Sequence, residues 1–146
     1  MPIFQKIVVP VDFSDHAARA LEMAIELAKA SKGKITIVHS YPINPILLSP
    51  YGVAMPPDIE RSFREASDKQ LAEWAGRARK AGVDVEIWTS SDTPSEAVVH
   101  RAEQIHADLI VMGTRGLTGL KHVVLGSVAE RTLRYAPCPV LTVKAR

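Results

Sequence analysis

ADLIVMGTRGLTGLKHVVLGSVAERTLRYAPCPVLTVK, residues 107–144, reads as a strand, a glycine-rich connection, a helix and a second strand. ADLIVMG (107–113) is a largely apolar run of strand length. Four of the chain's eight glycines follow closely, at 113, 116, 119 and 126. Ser127-Val128-Ala129-Glu130 has the form of a capping box and predicts a helix to about Tyr135. PVLTVK (139–144) is the closing strand.

The rest of the chain repeats this alternation. KIVVPV (6–11) reads as a buried strand, and Ser14 can cap a helix that puts Ala17, Leu21, Ala24 and Ala28 on one face. Gly33 ends that helix and KITIVHS (34–40) is the second strand. Residues 58–81 form a longer amphipathic helix, with Ile59, Phe63, Ala66, Trp74 and Ala78 near one face and Gly82 as its stop. VDVEIWT (83–89) alternates as a strand, and Thr93-Pro94-Ser95-Glu96 is a capping box with proline at the first helical position. Five strand-like runs thus alternate with four helical ones. That pattern implies an α/β fold, an open parallel sheet with helices on both faces and right-handed crossovers. No repeat or boundary interrupts it, so residues 1–146 are expected to form a single domain.

A chain of 146 residues can bury roughly 70% of the surface its unfolded form exposes. Its 47% hydrophobic and 23% charged content is ordinary for a globular protein. A net charge of +2 is too small to argue for nucleic acid, despite a pI of 8.8. No run approaches the ~18 apolar residues a membrane span needs. The start, MPIFQKIVVPVDF, runs straight into a strand without a secretory signal, so a cytoplasmic location is expected. The single cysteine, Cys138, reads as a small filler beside an apolar strand.

One connection stands out. YPINPILLSPYGVAMPP (41–57) carries five of the ten prolines and no helical period. Loops of that length are lids, binding segments or mobile excursions. The five histidines are scattered; His100 and His106, six apart, fall on different helix faces, which argues against a metal pair. His39, at a strand end, is open to a structural role or a ligand contact. Trp74 reads as core, and Trp88 as core or partly exposed.

The glycine segment carries the chemistry. In an open α/β sheet, ligands sit at the carboxyl ends of the strands where the strand order reverses. A loop that leaves a strand through Gly113 and enters a helix through Gly126-Ser127 presents N–H groups and a positive dipole end, both of which favour phosphate. The plainer reading is that Gly113 and Gly116 turn the chain and Ser127 caps a helix, and the two are compatible. There is no GxxxxGK[ST], and the turn after the first strand, VDFSDH, has no glycine, which excludes a dinucleotide fingerprint. That turn carries Asp12, which repels phosphate but can accept hydrogen bonds from ribose hydroxyls. An acid at one end and glycine-lined amides at the other have the polarity of a nucleotide site.

The spacing Gly113-x2-Gly116-x9-Gly126-Ser127 resembles the Gly-x2-Gly-x9-Gly-Ser/Thr signature of ATP-binding universal stress proteins. KIVVPVDFSDHAARAL resembles that family's first strand and helix, IVHSY its second strand, and ADLIVMGTRG with LGSVAERTLRYAPCPVLTV its final third. The resemblance covers nearly the whole chain apart from 41–57. It implies a Rossmann-like sheet of the adenine nucleotide alpha hydrolase type, in the order 3-2-1-4-5, with ATP across the ends of strands 1, 2 and 4. Pro10, Val11 and Asp12 would line the adenosine, Asp12 at the ribose, with Ser40 beside adenine through its backbone and Met112 closing the strand-4 side. Gly113, Thr114, Arg115 and Gly116 would wrap the phosphates, and Gly126, Ser127 and Val128 would complete the site. Ala129 stands where some relatives carry a hydroxyl. Mg²⁺ would accompany the bound nucleotide.

The resemblance also implies a homodimer around the last strand, an apolar edge protected only by Pro139 and Lys144. Hydrolysis is expected to be slow at most, without catalytic residues or a resident protein-bound metal. The segment 114–126 offers Arg115 and Lys121 as cations and His122 as a base, but no carboxylate. Two rivals are a dimeric interaction module of the same fold that binds no nucleotide, and a phospho-receiver domain. The intact glycine pattern argues against the first. The absence of an acid adjacent to Asp12 argues against the second.

Overall fold

The computed structural model describes residues 3–41, 57–115 and 125–145. The strands are β1 (Lys6–Pro10), β2 (Lys34–Ser40), β3 (Asp84–Ser90), β4 (Leu109–Gly113) and β5 (Val140–Val143). The helices are α1 (Asp15–Ser31), α2 (Pro57–Lys80), α3 (Pro94–Ile105) and α4 (Ser127–Tyr135). All strand pairs are parallel and the sheet order is β3-β2-β1-β4-β5, as the resemblance implied.

Alternation along the central strands builds two cores. Ile7 and Val9 point to the side covered by α1 and α2, where they meet Leu21, Ala24, Leu71 and Trp74. Val8 points the other way, into a core closed by Ala97, Val98 and Ala102 of α3 and Ala129 of α4. Burying each such aliphatic side chain is worth about 1.5–3 kcal/mol, so both faces of β1 hold the sheet in register. Cys138 is half-buried against the second core, and burial pushes its thiol pKa up, with Asp108 adding to the effect.

Local signals start and stop the helices. Ser14 caps α1, its hydroxyl accepting the Ala17 N–H at 3.2 Å, and Lys32 closes it in the left-handed conformation. Gly33, expected as the stop, is the residue after that cap, and a close contact with the chain at Phe4 explains the glycine there. Gly82 does follow the end of α2 with a φ of +82°. Acidic Asp58 and Glu60 open α2 and Arg77, Arg79 and Lys80 close it, matching the helix dipole. Its expected apolar face is only half used, however. Leu71, Trp74, Ala75 and Ala78 are buried, whereas Ile59 and Phe63 are 46% and 62% exposed. The stripe begins before the helix reaches the sheet.

Both capping boxes differ from expectation. Thr93 sits at the N-cap of α3 with Pro94 next, but its hydroxyl makes no capping bond. α4 begins one residue earlier than a Ser127 cap requires. Gly126 is its N-cap, its carbonyl accepting the Glu130 N–H at 3.0 Å, and Ser127 is the first helical residue.

Where the apolar side chains of the second core run out, β2 and β3 share a polar cluster. Glu86 accepts from the buried Thr36 hydroxyl at 2.9 Å and pairs with Arg101 at 3.1 Å and Lys34 at 3.3 Å. The Arg101 guanidinium lies 5.4 Å from the centre of the partly buried Trp88 ring. Burial pushes the Glu86 carboxyl up, but the hydrogen bonds from Thr36, Lys34 and Arg101 outweigh it and hold its pKa below the usual range. A depressed carboxylate stabilises the fold above the ordinary glutamate range, and that contribution fades as pH falls through its lowered value.

Asp108 ties β1 to β4 at their amino ends. Its Oδ2 accepts the N–H groups of Gln5 and Lys6, each at 2.9 Å, and its own N–H donates to Lys6 O. Asp108→Ala removes a charged acceptor from two donors and is expected to cost about 2 kcal/mol, with Asp108→Asn costing less because an acceptor oxygen remains. Urea melts of the two variants check the order.

Candidate functional site

In a parallel sheet of this order, β1 and β4 are neighbours whose connections leave to opposite faces, and the crevice opens at their carboxyl ends. Pro10 is the last residue of β1, and Val11 beyond it is buried, its N–H donating to Val38 O at 2.9 Å. Asp12 follows, with Oδ1 accepting the Ser14 N–H at 3.0 Å and Oδ2 without a partner among the described residues. Ser40 ends β2, and its hydroxyl donates to the backbone carbonyl of Asp92. Met112 is buried and Gly113 ends β4. The fold thus brings Pro10, Val11, Asp12, Ser40, Met112 and Gly113 to one end of the sheet.

Gly113 has a reason the spacing did not reveal. A Cβ there would lie 2.6 Å from His16 Cβ and 2.8 Å from the His16 carbonyl carbon, so glycine lets α1 pack against β4. Thr114 is 2% exposed and its polar groups are engaged internally. Its N–H donates to Val143 O at 3.1 Å, its carbonyl accepts the Gly126 N–H at 2.6 Å, and its hydroxyl lies 3.4 Å from His16 Nδ1. It pins the root of the connection, which leaves at Arg115 and returns at Leu125. Arg115 is half-buried, and its Nε has no partner among the described residues. Gly116, Lys121 and His122 lie outside the described residues, as does 42–56, most of the proline-rich connection.

The Gly126 N–H to Thr114 O bond fastens the start of α4 beside the end of β4. Gly126 has no side chain with which to cap that helix, in contrast to Ser14 of α1. The N–H groups of Ser127, Val128 and Ala129 precede the first i→i−4 bond, which Glu130 makes, and helical geometry leaves such donors without an intrahelical acceptor. Ser127 is exposed and Val128 half-buried. This is an arrangement that receives an anion. The Asp12 carboxylate lies at the same end of the sheet, just beyond β1.

Three residues around the crevice escaped the reading of the sequence. His16, in the first turn of α1, accepts the Ala145 N–H on Nδ1 at 3.0 Å, beside Thr114. A histidine two residues after a helix cap at a strand's carboxyl end was the available signal. Phe13 adopts a φ of +65°. Tyr41 packs edge-on to His39 and donates its hydroxyl to Asp68 of α2, with Arg64 over its ring. Its own burial, then that hydrogen bond and the Asp68 charge, push the Tyr41 pKa up to about 12. His39 is structural in this setting, with Nδ1–H donating to Val11 O at 2.8 Å.

The fold is an open parallel α/β sheet whose carboxyl end carries both the start of α4 and the Asp12 carboxylate. The universal stress protein family model matches residues 3–144, and the chain belongs to that family. It is 37% identical to a universal stress protein of Methanocaldococcus jannaschii, covering 97% of this chain and 83% of the relative. It is 30% identical to one from Bacillus subtilis, covering 97% and 100%. Among solved structures it superposes on the hypothetical protein MJ0577 with a TM-score of 0.87 at 26% identity, covering 99% and 98%. A universal stress protein in complex with cAMP gives 0.70 at 31%, covering 99% of both chains. The Archaeoglobus fulgidus protein in complex with dAMP gives 0.69 at 28%, covering 97% and 99%.

Proposed function

We propose that this protein binds ATP in the crevice between the carboxyl ends of β1 and β4 and signals its occupancy, with at most slow hydrolysis. The observation that carries the reading is the glycine-capped start of α4, fastened beside the end of β4, at the same end of the sheet as Asp12 beyond β1. The glycine spacing supports it, and so do the related proteins solved with cAMP and dAMP, ligands that share adenine and a phosphate with ATP.

In this reading Pro10, Val11 and Met112 line the adenosine, Ser40 meets adenine through its backbone, and Asp12 accepts from the ribose. Gly113, Arg115 and Gly116 wrap the phosphates from the root held by Thr114. Gly126, Ser127 and Val128 meet them from the helix side. No three His, Cys, Asp or Glu side chains converge on a metal position among the described residues, so Mg²⁺ would be carried by the phosphates and water. Efficient phosphoryl transfer needs a carboxylate-held metal and a group that orients water. With Asp12 at the ribose, turnover is expected below about 1 per second. The active unit is a homodimer through β5.

Ser127→Glu tests the phosphate end without harming the fold. An acid in the first helical turn complements the dipole, so thermal stability should hold or rise. ATP affinity by calorimetry should fall about tenfold or more, while adenosine, which lacks phosphate, binds as before. A variant that binds ATP as tightly as the parent would refute the assignment.

A further inference from the structure

Between the end of β1 and the cap of α1 the chain has only Val11, Asp12 and Phe13 in which to turn. The turn is made by Phe13, whose φ of +65° lies in the left-handed region that glycine and asparagine ordinarily supply. A bulky side chain persists there only where its surroundings over-determine it. Here they do. The Phe13 ring lies 5.4 Å from Trp74, edge-on at 86°, and 4.9 Å from His39. His39 is fixed by its bond to Val11 O and by Tyr41, which is in turn tied to Asp68. Trp74 is buried against the first core, with Arg77 over its ring. The ring is thus held between α2 and β2, while its backbone lies between two dependent hydrogen bonds. One is Ser14 N–H to Asp12 Oδ1, and the other Ala17 N–H to Ser14 Oγ.

We infer that Phe13 is a positioning residue for Asp12: its clamped ring holds the left-handed turn that presents the Asp12 carboxylate to the sugar hydroxyls of a bound nucleotide. This rests on the nucleotide reading and adds the source of its sugar selectivity. The aromatic clamp sets the direction of the carboxylate, and the carboxylate distinguishes a ribose from a sugar without hydroxyls. An aromatic that served packing alone would leave that distinction untouched when removed.

The test compares calorimetric affinities for ATP and 2′,3′-dideoxy-ATP in the parent, Phe13→Gly, Phe13→Leu, Phe13→Tyr and Asp12→Asn. The parent should prefer ATP by about tenfold or more, the weight of a hydrogen bond to a charged acceptor. Phe13→Gly permits the turn but frees it, and should shrink the preference to about twofold through weaker ATP binding, with dideoxy-ATP unchanged. Phe13→Tyr keeps the ring and should retain the preference. Phe13→Leu fills the space without a plane to clamp; it should lose most of the preference and serves if the glycine variant does not fold. In an Asp12→Asn background Phe13→Gly should change the ratio no further. A folded Phe13→Gly or Phe13→Leu protein with the parental ratio overturns the inference while leaving nucleotide binding intact. A parent that binds both nucleotides equally overturns it as well, and one that binds neither removes the nucleotide reading itself.

Discussion

Gly33→Ala is expected to destabilise the protein by about 3 kcal/mol or more, the upper range for forced backbone movement. The added Cβ would lie 2.1 Å from Phe4 O and 3.2 Å from both Gln5 Cα and Gln5 O. These are backbone atoms, so no side chain can swing aside. They are also held in place: Lys34 N–H donates to Gln5 O at 2.8 Å and Gly33 N–H to Ala28 O at 2.9 Å. Relief would require the entry to β1 to part from the end of α1. Two other glycines give the scale. Gly82 has open space but a φ of +82°, so Gly82→Ala should cost about 1 kcal/mol. Gly76 lies inside α2 with nothing within 4 Å, so Gly76→Ala should stabilise by about 0.5–1 kcal/mol. Denaturant melts should rank them in that order, and a Gly33→Ala protein within about 1 kcal/mol of the parent would show that the crowding relaxes.

Leu141→Asp is expected to turn the proposed dimer into a 16.0 kDa monomer. β5 pairs with β4 along one side only among the described strands. Val143 belongs to the core under α1 and α2, whereas Val140 packs against the core under α3 and α4. Leu141 therefore shares the face of Val143, yet it is 37% exposed at the sheet's edge. A second copy pairing along β5 would cover it, and a carboxylate there would be buried without a partner. The dissociation constant should rise about 100-fold or more, since each two-fold interface would hold two uncompensated carboxylates, one from each copy. Thr142→Asp, on the opposite face, should do less. Light scattering decides: a parent of monomer mass at micromolar concentration removes the dimer, and a dimeric Leu141→Asp protein moves the interface elsewhere.

The elements were legible because their signals are local. KIVVPV and ADLIVMG are apolar runs of strand length, and Ala17, Leu21, Ala24 and Ala28 share a helical face. Strand order was not local; it came with the glycine spacing and its family resemblance. Errors arose where a side chain's partner is distant in sequence. Ile59 and Phe63 fit the helical period, but nothing in the period says where the sheet ends. Gly33 and Gly113 look like turn or ligand glycines until Phe4 and His16 arrive against them. The start of α4 shifted by one because Ser127 has a capping residue's chemistry, yet Gly126 takes the extended conformation that a cap requires. Asp12 and Gly126 were readable as candidate site residues, and the fold places the first just beyond β1 and the second beside the end of β4. The ring clamp on Phe13 was not, since Trp74 and His39 reach it from separate elements.

The same strand order has a consequence for how the chain is made. Ile7 of β1 pairs with Ile35 on one side and with Leu109 on the other. At ribosomal rates of about 5–20 residues per second, the second partner is synthesised about 4–15 s after the first. During that interval the N-terminal half can assemble β3-β2-β1, but the edge of β1 that will meet β4 has no strand to pair with. Ile7, Val8 and Val9, fully buried in the finished sheet, then form the border of a nascent half-sheet, the kind of edge that invites pairing between chains. Until β4 leaves the ribosome, the strand that ends as the centre of the molecule is an open edge.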